Sequence, residues 1–202
     1  LINSTLLLLP VVGFSLMKFY DNTLIRQTES ALITQAVMLA NTYTMLLKKQ
    51  YPQLDLEQYG KPLPKKHWHP DDSLFGKWHP IIPTLDLNNS PILGKEPIPT
   101  TSDESVDTIA WQLGIDFDEL LKEVQLTTLS AMRIIDINGI IVSSSAWVKN
   151  KTIIDRPEIS QALSGEVTRV IRQRLVEEVQ DLFFLPISRA TNIRIHLTYP
   201  II

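Results

Sequence analysis

The chain has 202 residues, a net charge of −3 and no cysteine. Hydrophobic residues make up 44% and charged residues 20%, the mix of a folded chain rather than a disordered one. The charge is too small and too acidic for a dedicated nucleic-acid binder, and the lack of cysteine excludes disulfide scaffolds, thiolate metal sites and cysteine nucleophiles.

No charged residue occurs from Leu1 to Met17, and Lys18-Phe19-Tyr20 follows as an interfacial anchor would. At 1.5 Å per residue this stretch covers about 26 Å, close to the hydrocarbon thickness of a bilayer. A transmembrane helix truncated at its N-terminal end is therefore expected over 1–20. A cleaved signal peptide and a buried soluble helix are the competing readings, the first weakened by the lack of an A-x-A pattern.

From Asp21 to Lys49 there is no Pro or Gly, and Ile25, Leu32, Ala36, Leu39, Tyr43 and Leu46 recur at spacings near four and three. The pattern predicts a long outer helix over 21–50 with one apolar stripe. The stripe suits a seam between two copies of the chain, with Glu29 as its one polar interruption, and equally suits packing on the chain's own sheet. Tyr51-Pro52 stops the helix.

Nine of the thirteen prolines lie between Pro52 and Pro99, so 51–104 is expected to be an irregular excursion. It carries His67, Trp68, His69, Trp78 and His79 with Asp71 and Asp72 nearby. Imidazole and carboxylate suit Zn²⁺, but His-x-His without a fixed frame is a weak signal, and no metal is assigned. A second helix is expected from Ser105 or Val106 to Leu126, capped within Ser102-Asp103-Glu104-Ser105 and open to a break at Gly114.

The C-terminal part reads as α+β. Met132–Asp136 and Ile140–Ser144 are strands around Ile137-Asn138-Gly139, where Asn-Gly favours a hairpin because both residues tolerate positive φ. Asp155-Arg156-Pro157-Glu158 opens a short helix with Asp155 as cap, closed by Gly165. Strands follow at 167–174, at 181–187 and at 193–199, the last with a clean period of two. The expected fold is a five-stranded antiparallel sheet covered on one face by the long helix.

Arg133-Ile134-Ile135-Asp136-Ile137-Asn138-Gly139-Ile140-Ile141-Val142-Ser143-Ser144-Ser145, then Asp155-Arg156-Pro157-Glu158-Ile159 and Ala162-Leu163-Ser164-Gly165-Glu166, resemble the PAS-like (PDC, or Cache) extracytoplasmic sensor domain of bacterial membrane receptors. Leu24 to Leu32 is similar to the first outer helix of such domains, and Ser188 to Ile201 to their closing strand. Sensor histidine kinases are the nearest resemblance. It implies an input half only: a span, the sensor on the periplasmic or extracellular side of the bacterial inner membrane, and a second span and transmitter beyond this chain. The implied partners are the membrane, a second copy in a homodimer, an unidentified small molecule or protein stimulus, and a response regulator through the missing cytoplasmic part.

The pocket position that the resemblance implies selects Trp147, Asp155, Arg156, Arg172, Arg174 and Arg194 as ligand-binding residues. Arg offers two parallel hydrogen bonds to a carboxylate, and Trp an apolar or cation–π wall. No Gly-rich phosphate loop, Gly-x-Ser-x-Gly, His-Glu-x-x-His or calcium loop is present, so no catalytic residue and no cofactor are assigned. Ser143–Ser145 read as strand-end hydroxyls, and Asp116, Asp118 and Glu119 as a helix-face cluster. The expectation is a sensory input domain, not an enzyme. A chemoreceptor or diguanylate cyclase sensor, or a membrane-anchored binding module without output, is the alternative.

Overall fold

A computed structural model describes residues 2–56, 80–174 and 192–201, the first ten of them as backbone only. Its elements in chain order are α1 (Ile2–Gln50), β1 (Ile92–Leu93), α2 (Thr108–Thr128), β2 (Arg133–Ile135), β3 (Ile141–Ser144), α3 (Pro157–Leu163), β4 (Thr168–Gln173) and β5 (Ile193–Thr198). The expected strand at 181–187 and the His67/His69/His79 loop with its two Trp residues lie outside the described residues.

α1 is one uninterrupted helix of 49 residues, so the expected span and outer helix are a single element. At 1.5 Å per residue it is about 73 Å long. It is long and apolar enough to cross a membrane. Lys48 and Lys49 complement the dipole at its last turn before Pro52 ends it.

The fold is mixed α+β, and the described strands form two sheets, three strands in the order β1-β4-β5 and the hairpin β2-β3. Among the described residues the expected single five-stranded antiparallel sheet is not formed. β1 and β4 pair in parallel, Ile92 opposite Ile171 and Leu93 opposite Arg172. A two-residue strand inside the proline-rich excursion gives no periodic signal, and parallel partners are not joined by a turn that sequence could reveal.

The chain divides into two compact units. In one, comprising 1–33, 81–96 and 169–196, Ile25, Leu85, Leu87 and Ile171 form the core, with Ile92, Ile193 and Ile195 packed on it. In the other, comprising 34–80, 97–168 and 197–202, Tyr43 and Leu47 of α1 meet Leu113, Phe117 and Leu121 of α2 and Ile134 and Val142 of the hairpin. The Tyr43 and Phe117 rings tilt against each other with centroids 5.3 Å apart. β3 is buried along its whole length, because Val142 faces α2 while Ile141 faces Ile153 and Ile159.

Local chemistry differs from expectation at three points. α2 runs straight through Gly114 and is capped by Asp107, whose carboxylate accepts from the Ala110 N–H (2.7 Å), not by residues 102–105. At the hairpin only Gly139 has positive φ (75°), and the register shifts between Ile134 and Ile135, as in a turn closed by a left-handed Gly and a bulge. α3 is preceded by Arg156 at the cap position with no side-chain cap bond, and Asp155 is exposed. Pro157 already removes one of the N–H groups that a cap would serve.

Candidate functional site

Three polar residues on one face of α1 hold the segment around Asp86. Asn22, Arg26 and Glu29 recur at spacings of four and three, which brings them to the same side of the helix. Asn22 Nδ2 donates to Asp86 Oδ1 (3.2 Å), and its Oδ1 accepts from the Leu87 N–H (2.9 Å). Arg26 lies 3.9 Å from the other Asp86 oxygen. The Asn88 N–H, and after it Asn22 and Arg26, hold the Asp86 carboxyl below its ordinary range against the opposing effect of desolvation.

Glu29 closes this face and is fully buried. One oxygen accepts from Thr84 N–H (2.9 Å) and Leu85 N–H (2.8 Å), and the other lies 3.3 Å from Arg169 Nε. Arg169 also donates to Thr84 Oγ1 (2.9 Å). A buried carboxylate is stable only when its lone pairs are taken up in this way. The polar interruption of the α1 stripe is therefore an anchor for the β4 side chain and for residues 84–85.

The second polar centre lies where α2 meets the loop after β3. Trp111, Asp118 and Lys122 share one face of α2 at spacings of seven and four. Asp118 Oδ1 accepts from the Ser143 hydroxyl (2.8 Å), and Oδ2 from Lys149 Nζ (2.5 Å). Burial raises the Asp118 pKa, yet the hydrogen bonds from Lys149 and Ser143 outweigh it and the carboxyl lies below its ordinary value. Lys149 stands 4.7 Å from the centre of the Trp111 ring, and Lys122 stands 3.9 Å from that of Trp147. Both distances suit cation–π attraction.

The six ligand-binding residues expected from sequence fall three in each unit. Trp147 is 81% exposed and holds φ at 62°, an unusual conformation for a bulky residue. Asp155, eight residues further on, is exposed, whereas Arg156 is buried and donates to the Pro97 carbonyl (2.6 Å). In the other unit, Arg172 on β4 is buried with Nη1 3.4 Å from the Gly94 carbonyl, while Arg174 and Arg194 are exposed. Of the expected seam, Ile25 lies in one core and Tyr43 in the other, Leu39 and Leu46 pack on the Tyr43 cluster, and Leu32 and Ala36 are half-buried.

Asp118, Lys149, Glu29 and Arg169 were not singled out from sequence as site residues. The four-and-three recurrence of Asn22, Arg26 and Glu29 was the available signal for the first centre, and the shared helix face of Trp111, Asp118 and Lys122 for the second. Among the described residues, no three His, Asp or Glu side chains gather to hold a metal ion. The chemistry present is ion pairing and aromatic contact. Comparison with protein-family models, with curated proteins and with solved structures finds no match for this chain.

Proposed function

We propose that this chain is the extracytoplasmic input domain of a transmembrane sensor histidine kinase, a receptor that passes a stimulus inward as movement of α1. The observation that carries the reading is the unbroken course of α1 from its uncharged start to Gln50. The same helix supplies Ile25 and Glu29 to one unit and Tyr43 and Leu47 to the other. Displacing or rotating it therefore disturbs buried groups in each. The resemblance of the hairpin, short helix and following strands to PAS-like sensors supports the same reading.

The stimulus site proposed is the loop after β3. A large aromatic side chain held at positive φ and left open to solvent costs stability without contributing to a core, which motivates a binding role for Trp147. With Lys122 against one face, the indole suits a small ligand bearing an acidic group.

The test has two arms. Cysteine placed at exposed Asp155 reacts with a membrane-impermeant maleimide in intact cells if the domain is extracytoplasmic, and labelling that needs lysed cells sinks that placement. The coding sequence after Ile202 is the second arm. A second apolar span followed by a His-bearing dimerisation helix supports the kinase. A methyl-accepting or cyclic-dinucleotide-forming output, or an early stop, replaces it with the corresponding alternative.

A further inference from the structure

We propose that Asn138 is a site of spontaneous covalent modification: a deamidation that the contact between the β2–β3 turn and the start of α2 holds back, and that keeps this contact open once it has occurred. The inference does not depend on the sensor reading.

Asn138-Gly139 is the single Asn-Gly pair in the chain. Glycine leaves its backbone nitrogen unshielded, so that nitrogen can reach the side-chain amide of the residue before it. The Gly139 nitrogen, on giving its proton to solvent hydroxide, attacks Asn138 Cγ. The N–Cγ bond forms, the Cγ–Nδ2 bond breaks, and ammonia leaves. Water then opens the cyclic imide at either carbonyl, giving Asp or isoaspartate. The net change is hydrolysis of an amide, with no oxidation or reduction.

The fold both requires the reactive pair and restrains it. Gly139 has φ 75°, and a Cβ there would stand 2.8 Å from Ile154 Cβ, so a side chain is refused at this position. Its N–H donates to the Asp136 carbonyl (3.1 Å) and the residue is buried, which withholds the nucleophile. Asn138 Nδ2 donates to the Ser105 carbonyl (3.1 Å), which holds the leaving amide against the residues just before α2. The Asp136 carboxylate, 4% exposed, ties the same two segments together. Its Oδ1 accepts from the Asn138 and Ile140 N–H groups (3.0 and 2.8 Å), and its Oδ2 from the Asp107 N–H (3.0 Å). Reaction therefore waits for the turn to come away from residues 105–107, a local opening of the fold.

The product does not restore the contact. A carboxylate at position 138 has no hydrogen to give the Ser105 carbonyl, and it adds a negative charge beside the buried Asp136. Isoaspartate also adds a methylene to the main chain inside the turn that sets the hairpin register. Asp107 caps α2, and α2 carries Phe117 against Tyr43, so the loosened junction bears on the packing of α1.

The full chain in detergent is incubated at mildly alkaline pH, folded and in urea. Peptides are then mapped by mass for the exchange of NH2 for OH, with isoaspartate methylation as a second readout. Asn150 is the internal control, being exposed in the folded chain but followed by Lys151. Asn138 is expected to convert ahead of Asn150 in urea, and at least about tenfold more slowly in the folded chain than in urea. Asp107→Ala removes the acceptor of the Ala110 N–H and is expected to speed the folded-state reaction about fivefold. Asn138→Asp is expected to lower the thermal midpoint and to speed hydrogen exchange at Asp107. Equal rates in folded and unfolded chains, or conversion at Asn138 no faster than at Asn150 in urea, overturns the proposal. So does an Asp107→Ala chain that reacts no faster, or an Asn138→Asp chain as stable as the parent. The comparison of folded and unfolded rates uses the unaltered chain, so it decides the matter even where a variant fails to fold.

Discussion

The carboxylate of Glu29 is fully buried and lies 3.3 Å from the Nε of Arg169. One residue sits in the middle of α1 and the other on β4, and their meeting also satisfies the Thr84 and Leu85 N–H groups. Replacing Glu29 with Ala leaves a guanidinium and two backbone donors without their acceptor. The expected cost is about 3 kcal/mol or more. Urea unfolding of the chain in detergent measures it, and faster hydrogen exchange at Thr84 and Leu85 localises it. A loss below about 0.5 kcal/mol, the scale of an ordinary surface change, would refute the anchoring role.

At Gly114, α2 packs tightly on Val142 of β3. A Cβ there would stand 2.7 Å from the Val142 carbonyl oxygen and 3.0 Å from its carbon, both backbone atoms that have no rotamer by which to yield. In an exposed helix, Gly→Ala gains about 1 kcal/mol. Here Gly114→Ala is expected to lose about 2 kcal/mol through overpacking. A shift of the thermal midpoint upward would show that the helix is free to move away from the strand.

The Asp118 ion pair makes a pH prediction. Its folded pKa lies below the ordinary 3.8, so its contribution is complete above pH 3.8 and is lost as pH falls through the lower folded value. Asp118→Asn should therefore be less stable than the parent chain at pH 7, by about 1 kcal/mol for a partly exposed pair. The difference should shrink below pH 3.8 as the parent loses the same interaction. Parallel stability curves down to pH 2 would assign the pair no role.

Trp147 separates binding from folding. It is exposed, so Trp147→Ala should change stability by less than about 0.5 kcal/mol. If the loop after β3 holds the stimulus, a small acid that raises the thermal midpoint of the parent chain should lose its effect on this variant. Arg156→Ala is the poorer probe, since Arg156 is buried against the Pro97 carbonyl and its removal damages the fold. A ligand shift that survives Trp147→Ala would move the site elsewhere.

Local chemistry made much of the fold legible. The absence of Pro and Gly from Asp21 to Lys49 indicated the long outer helix, Asn138-Gly139 the hairpin, Asp155 to Gly165 the short helix, and the alternation from Ile193 the last strand. Cap positions slipped, because Ser102, Asp103 and Ser105 are as suited to a cap as Asp107 is, and only the folded chain chose among them. The polar centres were harder to see. Glu29 looked like an interruption because its partners, Thr84, Leu85 and Arg169, are remote in sequence.

The sequence by itself determined where the chain is helical, where it turns, and that α1 carries apolar spacing along an uncharged stretch. Only the tertiary structure decided which face of that helix is covered. α1 offers two nearly opposite lines at four-and-three spacing, one through Leu39, Tyr43 and Leu46 and one through Thr34, Met38, Asn41 and Met45. Periodicity states that a helix has a stripe to bury but not what buries it. The first line is taken by Phe117 and its neighbours on α2, since their shapes fill one core, and the second is left facing solvent. The same reason split the strands into two sheets, because the partner of β4 is a two-residue strand that no local pattern announces.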